Sequence, residues 1–231
     1  LSYDVEAEEL SVNRTTLTAG PASAQFELRT AEGYTFGGTG LGWEPDGQVS
    51  LRPTQASFGL SLDSDMEPLW HNRVLIDAGA DLSWQSSLTR FTESSLRFSF
   101  SGSVVIHEFL RLSMQTSSLN SQGYVYIPDL ARTVGREPRN ILVDLARSFN
   151  FFNRADRLAS GFNLQSIQLN ALHDLGDWDL TVGYRGQPEI VETDDTRAYE
   201  WRGTLDIKLQ WRPIKELSTS ITADPDEISF E

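Results

Sequence analysis

Residues 199–211 alternate without a break. Tyr199, Trp201, Gly203, Leu205, Ile207, Leu209 and Trp211 fall on one side, with Glu200, Arg202, Thr204, Asp206, Lys208 and Gln210 between them. Successive side chains of a β-strand point to opposite faces, so this run is one long strand with an oily face and a charged face. Trp201 and Trp211 are ten residues apart, which at about 3.3 Å per residue is roughly 33 Å of strand. Tilted by about 40°, that length spans roughly 25 Å, the height of the apolar band on an outer-membrane barrel. An aromatic residue stands at each end of the stripe, where interfacial girdles sit. Strands of soluble proteins are about half as long.

The alternation recurs. Val74, Ile76, Ala78, Ala80, Leu82 and Trp84 share a face; Leu96, Phe98, Phe100, Gly102, Val104 and Ile106 share another, opposite Arg97, Ser99, Ser101 and Ser103. A tight turn near 107–109 leads to Leu110, Leu112 and Met114. Ile167, Leu169 and Ala171, then Trp178, Leu180, Val182 and Tyr184, flank a hairpin at 174–177 that contains Gly176. Leu217, Thr219 and Ile221 close the set after a turn at 213–215. The first seventy residues are less regular: Tyr3, Val5 and Ala7, Phe26 and Leu28, and Ala56 to Leu62 alternate, while Gly33, Gly37, Gly38, Gly40, Gly42, Pro45 and Gly47 mark turns and loops. The reading is all-β, about ten long antiparallel strands. It is a transmembrane β-barrel, or the C-terminal part of one, over 1–223, with an acidic C-terminal tail at 224–231.

One segment departs from the period of two. Ile141, Leu142, Leu145, Phe149 and Phe152 recur near helical spacing, and Pro138 suits a first turn, so a short amphipathic helix is expected over 139–153 inside a loop insertion at 120–160. Such a helix fits a lumen plug, a membrane-surface element or a cap over a core.

Composition narrows the function classes. A net charge of −14 argues against free nucleic acid as a partner. With no cysteine there is no disulfide framework and no thiolate metal site. No stretch resembles a transmembrane helix, but barrel strands leave a weaker hydropathy signal. The chain opens on Leu1 without a leader-like stretch, so a processed protein or a piece of a longer one is expected.

Signs of catalysis are not found. His71, His107 and His173 lack ligand spacing, and no P-loop or Gly-x-Ser-x-Gly elbow occurs. Asp174, Asp177 and Asp179 cluster at a turn without EF-hand spacing. The expectation is a non-enzyme without a cofactor. Trp84, Trp178, Tyr184, Tyr199, Trp201 and Trp211 are assigned to the interface girdle, and Arg97, Ser99, Ser101, Arg202, Asp206 and Lys208 to a polar lumen. The alternative is a soluble extracellular β-sandwich that binds polysaccharide through exposed tryptophans, which requires shorter strands and folding in plain buffer.

Several segments carry a resemblance. Arg147-Ser-Phe-Asn-Phe-Phe-Asn153, Gly161-Phe162, His173-Asp-Leu-Gly-Asp-Trp-Asp-Leu180 and Leu209-Gln-Trp-Arg-Pro-Ile214 resemble the C-terminal part of LptD/OstA-like outer-membrane proteins of a divergent branch. Leu51-Arg-Pro53, Leu69-Trp-His-Asn72 and Leu88-Thr-Arg-Phe-Thr-Glu-Ser94 fit the same pattern. The resemblance implies an outer-membrane location and a role in assembling lipopolysaccharide, or a related glycolipid, in the outer leaflet. It also implies outer-membrane lipid, a lipoprotein plug and periplasmic bridge proteins as partners. The chain departs from the family in showing no jellyroll and no paired cysteines, and in having too few strands for the whole barrel. No functional residue of the family carries over; the strand at 217–221 would lie near the lateral seam.

Overall fold

The computed structural model describes residues 2–4, 9–37, 42–107, 109–148, 150, 153–193 and 196–230. Its strands are β1 Ser2–Asp4, β2 Glu9–Ala19, β3 Ala22–Gly37, β4 Gly42–Asp63, β5 Glu67–Leu69, β6 Val74–Ser87, β7 Ser94–Ile106, β8 Leu110–Asn120, β9 Asn163–Asp174, β10 Trp178–Thr193, β11 Thr196–Trp211, β12 Ser218–Ala223 and β13 Ile228–Phe230. They stand in the sheet in chain order, with β5 off the path as a short partner of β6. The fold is therefore an all-β antiparallel meander. Nine of the thirteen strands have eleven residues or more, close to the ten or so long strands expected.

The hairpins form where the chain permits reversal. Gly176 adopts φ +82° between β9 and β10, a left-handed conformation that a side chain would strain. The Asp174 carboxylate accepts the Gly176 N–H at 2.8 Å. The β10–β11 pairing then runs without a register shift from Trp178 opposite Trp211 to Thr193 opposite Thr196. The stripe over 199–211 is thus part of a sixteen-residue strand.

Three expectations need correction. The glycines and proline on either side of residues 38–41 do not mark loops. β3 has sixteen residues and β4 twenty-two, and Gly33, Gly37, Gly42, Pro45 and Gly47 all lie in these strands; Gly38 and Gly40 lie outside the described residues. Register shifts at Glu27/Leu28 and Glu32/Tyr34 reset the side-chain parity, which hides both strands from a period-two reading. Residues 224–230, expected as part of an acidic tail, turn back, and β13 pairs with β12 through Ile221–Phe230, Thr222–Ser229 and Ala223–Ile228; residue 231 lies outside the described residues.

The third correction concerns the insertion. In place of one helix over 139–153 stand a 3-10 turn at Gly123–Tyr126 and three helices, α1 Pro128–Thr133, α2 Ile141–Ser148 and α3 Arg154–Ala159. Asparagines divide them. The Asn140 side chain accepts the N–H of Leu142 at 2.9 Å and of Val143 at 3.3 Å, which starts α2 there rather than at Pro138. Asn153 does the same for α3 through Ala155 and Asp156.

Two compact units divide the chain. One comprises Leu1–Ser61, Asp81–Phe98 and Leu119–Asn163; the other comprises Leu62–Ala80, Ser99–Ser118 and Leu164–Glu231. Among the described residues, the buried apolar side chains are Leu96, Tyr124, Val125, Ala131 and Phe162, all in the first unit. In the second unit Leu112, Met114, Leu169 and Leu205 each keep more than a third of their surface exposed.

Candidate membrane face and polar lining

The second unit holds most of the expected girdle. Trp178 and Trp211 are register partners at the base of the β10–β11 hairpin, their ring centroids 6.2 Å apart. Ten residues along β11, the indole N–H of Trp201 donates to the Tyr184 hydroxyl at 2.9 Å. Glycines admit these rings. A Cβ on Gly186 would lie 2.5 Å from the Trp201 ring, and one on Gly203 would lie 2.6 Å from the Tyr184 hydroxyl. Each large ring thus covers a glycine on the neighbouring strand, where a bare backbone would otherwise be exposed. The Tyr199 side chain lies outside the described residues. Between the aromatic levels, Val104, Leu112, Met114, Leu169, Ala171 and Val182 line an apolar groove of about 420 Å³.

On the opposite parity the same unit is polar. Arg202 forms an ion pair with Asp226. Asp206 accepts the Thr222 hydroxyl at 2.8 Å. Lys208 stands opposite Thr181 and Ser220. Ser101 and Asp63 close over Gly79, and the Ser103 hydroxyl donates to Asp77. Ser99 shares this parity.

The first unit carries the remaining sites. Exposed Arg97 lines a recess of about 230 Å³ with Ser23, Ser57, Ser83, Gln85 and Ser95. A wider polar cleft of about 700 Å³ includes Arg29, Gln55, Gln85, Ser87, Glu93 and Ser95. Trp84, assigned to the girdle, has another neighbour: its indole nitrogen would be 3.2 Å from a Cβ on Gly123, in the insertion.

That contact identifies the side on which the insertion sits. Trp84 belongs to the oily parity of β6, and Ser94 and Leu96 belong to the oily parity of β7. The Tyr124 N–H donates to the Ser94 hydroxyl at 2.7 Å. Asn120 donates to the Tyr126 hydroxyl at 2.8 Å, and the Tyr126 ring stacks on Phe162 at 5.9 Å. The aromatic group Phe36, Trp43, Phe91 and Tyr124, with successive centroids 5.1 to 6.4 Å apart, extends the contact to β3 and β4. Beneath lie Ser86, Ser94, Leu96 and Asn120, all buried. The insertion therefore covers one end of the oily face, and the polar face is left open.

A buried ionic cluster holds it together. Asp144 is 2% exposed. Its carboxylate meets Arg139 Nε at 2.8 Å and accepts the Tyr126 hydroxyl at 3.1 Å. Ser160 donates to the Asp144 carbonyl at 2.8 Å. A second carbon on Gly161 would collide with Asn120, Asp144 and Tyr126, all within 2.9 Å. Burial, reinforced by the charge of Asp144, pushes the Tyr126 phenol well above its usual range. The sequence reading missed this cluster; a lone aspartate inside an apolar helical stripe was its available signal.

The turn carboxylates are occupied by an arginine. Arg212 reaches Asp174 and Asp179 at 2.6 Å each. Among the described residues no group of His, Asp or Glu side chains is placed to hold a metal ion.

No family model matches the chain, and no curated protein matches it. Among solved structures, the outer membrane channel DcaP of Acinetobacter baumannii is similar over 92% of this chain and 55% of that chain, with 13% identity and a TM-score of 0.34. The chain thus spans about half the length of that channel.

Proposed function

We propose that this chain is part of the wall of a bacterial outer-membrane β-barrel, with its oily parity against lipid and its polar parity along an aqueous passage. One observation carries the reading: on the long strands of the second unit the apolar face leaves Leu112, Met114, Leu169 and Leu205 each more than a third exposed. Burying a Leu or Met side chain is worth about 1.5–3 kcal/mol. These four side chains are already more than half buried, so left in water they would forgo roughly 2–5 kcal/mol together, still a large share of the marginal stability of a domain. In a bilayer the same exposure is favourable. Backbone groups of a membrane sheet must all be paired, so the terminal strands β1 and β13 must close on each other or on further strands.

A β-sandwich that binds polysaccharide would bury these faces against a second sheet and use strands of about six residues. The exposed faces and the sixteen-residue β10 and β11 support the barrel instead. The finer form of the reading is export of lipopolysaccharide or a related glycolipid, with a lipoprotein plug and periplasmic bridge proteins as partners. It is supported by the segment resemblance and by the hydroxyl-rich polar face. The proposed role is non-catalytic.

Refolding with and without detergent tests the proposal. A heat-modifiable gel band that forms only in detergent is the expected result. A monomeric, cooperatively folding β protein in plain buffer would refute it. The finer form is tested by depletion in the native host, which should lower surface-exposed glycolipid while leaving its synthesis unchanged.

A further inference from the structure

Helix α2 exposes two aliphatic side chains while it encloses a charge, beside the half-buried Ile141 and Leu145. It buries Asp144 at 2% exposure and Ser148 at 4%, and it exposes Leu142 at 72% and Val143 at 45%. Ala146 and Arg147, one turn on, extend the exposed side. The arrangement is not a packing fault, because Asp144 is fully engaged with Arg139 and Tyr126. Helices in water place charge outward and aliphatic residues inward. This one faces a medium that accepts aliphatic side chains.

Position and charge name the medium. The insertion lies on the oily parity of β6 and β7, over Ser86, Ser94 and Asn120. Hydroxyl and amide groups at those positions would be costly against hydrocarbon, so protein stands where lipid otherwise would. Within 121–160 six arginines face four carboxylates, in a chain whose net charge is −14. Arg136 and Arg147 are exposed. We infer that the insertion is an interfacial element that binds anionic lipid. Leu142 and Val143 enter the acyl boundary, and Arg136 and Arg147 meet headgroup phosphates. The inference rests on the barrel reading of the strands.

The absence of cysteine makes single-site labelling clean. Leu142→Cys, Met114→Cys and Thr133→Cys would each carry an environment-sensitive fluorophore. The proteins are reconstituted in phosphatidylcholine–phosphatidylglycerol vesicles containing lipid brominated at shallow or deep acyl positions. Position 114 should be quenched best by deep bromine, position 142 best by shallow bromine, and position 133 by neither. If 142 behaves like 133 while 114 is quenched, α2 faces water or a protein partner; the inference fails and the barrel reading stands. If 114 is not quenched, both fail together. In the Arg136→Glu, Arg147→Glu double variant, the label at 142 should shift toward its emission in water when phosphatidylglycerol is present. An unchanged spectrum would overturn the headgroup contact.

Discussion

Replacing Arg139 with Met should loosen the insertion without touching the sheet. Asp144 lies at 3% side-chain exposure, and its Oδ2 is 2.8 Å from Arg139 Nε and 3.1 Å from the Tyr126 hydroxyl. Removing one partner of a buried ion pair costs about 3–5 kcal/mol, because the remaining charge stays out of water uncompensated. Arg139 is 36% exposed, so solvent already screens one side of the pair, and about 2–3 kcal/mol is the fitting range. At about 1.4 kcal/mol per decade, the insertion should open roughly 30- to 150-fold more often. Amide hydrogen exchange of Tyr124, Val125 and Ala131 reads that opening, with the β10–β11 amides as an internal standard. Asp144→Asn should act more weakly, since an amide oxygen still accepts from Tyr126. Unchanged exchange in Arg139→Met would refute the idea that the ion pair holds the helices down.

Gly186→Ala should displace the Trp201 ring, whose atoms lie 2.5 to 2.8 Å from the new carbon; a loss of about 1–3 kcal/mol is expected for such overpacking, read by tryptophan fluorescence and unfolding in denaturant. The Asp224 carboxyl is held below its usual range by the backbone N–H groups of Asp226 and then Glu227. Its contribution to the β12–β13 turn is therefore present at neutral pH and lost as pH falls below the ordinary carboxylate range. The Ser229 amide resonance should follow that loss on acidification, and Asp224→Asn should abolish the step. Tyr126 titrates above an ordinary phenol in the folded state, so the insertion should keep its full stability below about pH 10 and lose it as pH rises further. Comparing ultraviolet tyrosinate titrations of the native chain and Tyr126→Phe identifies the late-ionising group.

What the sequence reveals depends on whether parity survives. From Trp178 to Tyr184 and from Tyr199 to Trp211 it does, because β10 and β11 pair without a bulge, and both strands and the hairpin at 174–177 are readable there. In β3 and β4 two register shifts move apolar residues from one phase to the other, and the periodic signal dissolves although the strands are the longer ones. The turn into β13 was concealed by its charge: Asp224 accepts two backbone N–H groups at 2.8 Å, so its role there is structural. In α2 the helical spacing was legible but its orientation was not. Ile141 and Leu145 are half-buried, Leu142 points away, and the polar residue between them is the one enclosed. Spacing identifies a helix; only the surroundings decide which side faces in.

The neighbour-to-neighbour strand order has a kinetic consequence. Strands on the path hydrogen-bond to their neighbours in the chain, with two interruptions: β5, which stands between β4 and β6 and pairs with β6, and the helices between β8 and β9. Loop-closure entropy is small for such local pairings, so growth can proceed by adding one hairpin at a time to an existing edge. The β10–β11 ribbon, the longest unbroken ladder, is the natural seed. A sheet assembled this way never has more than its two outer strands unpaired, and those two edges are what an insertion machine would hold.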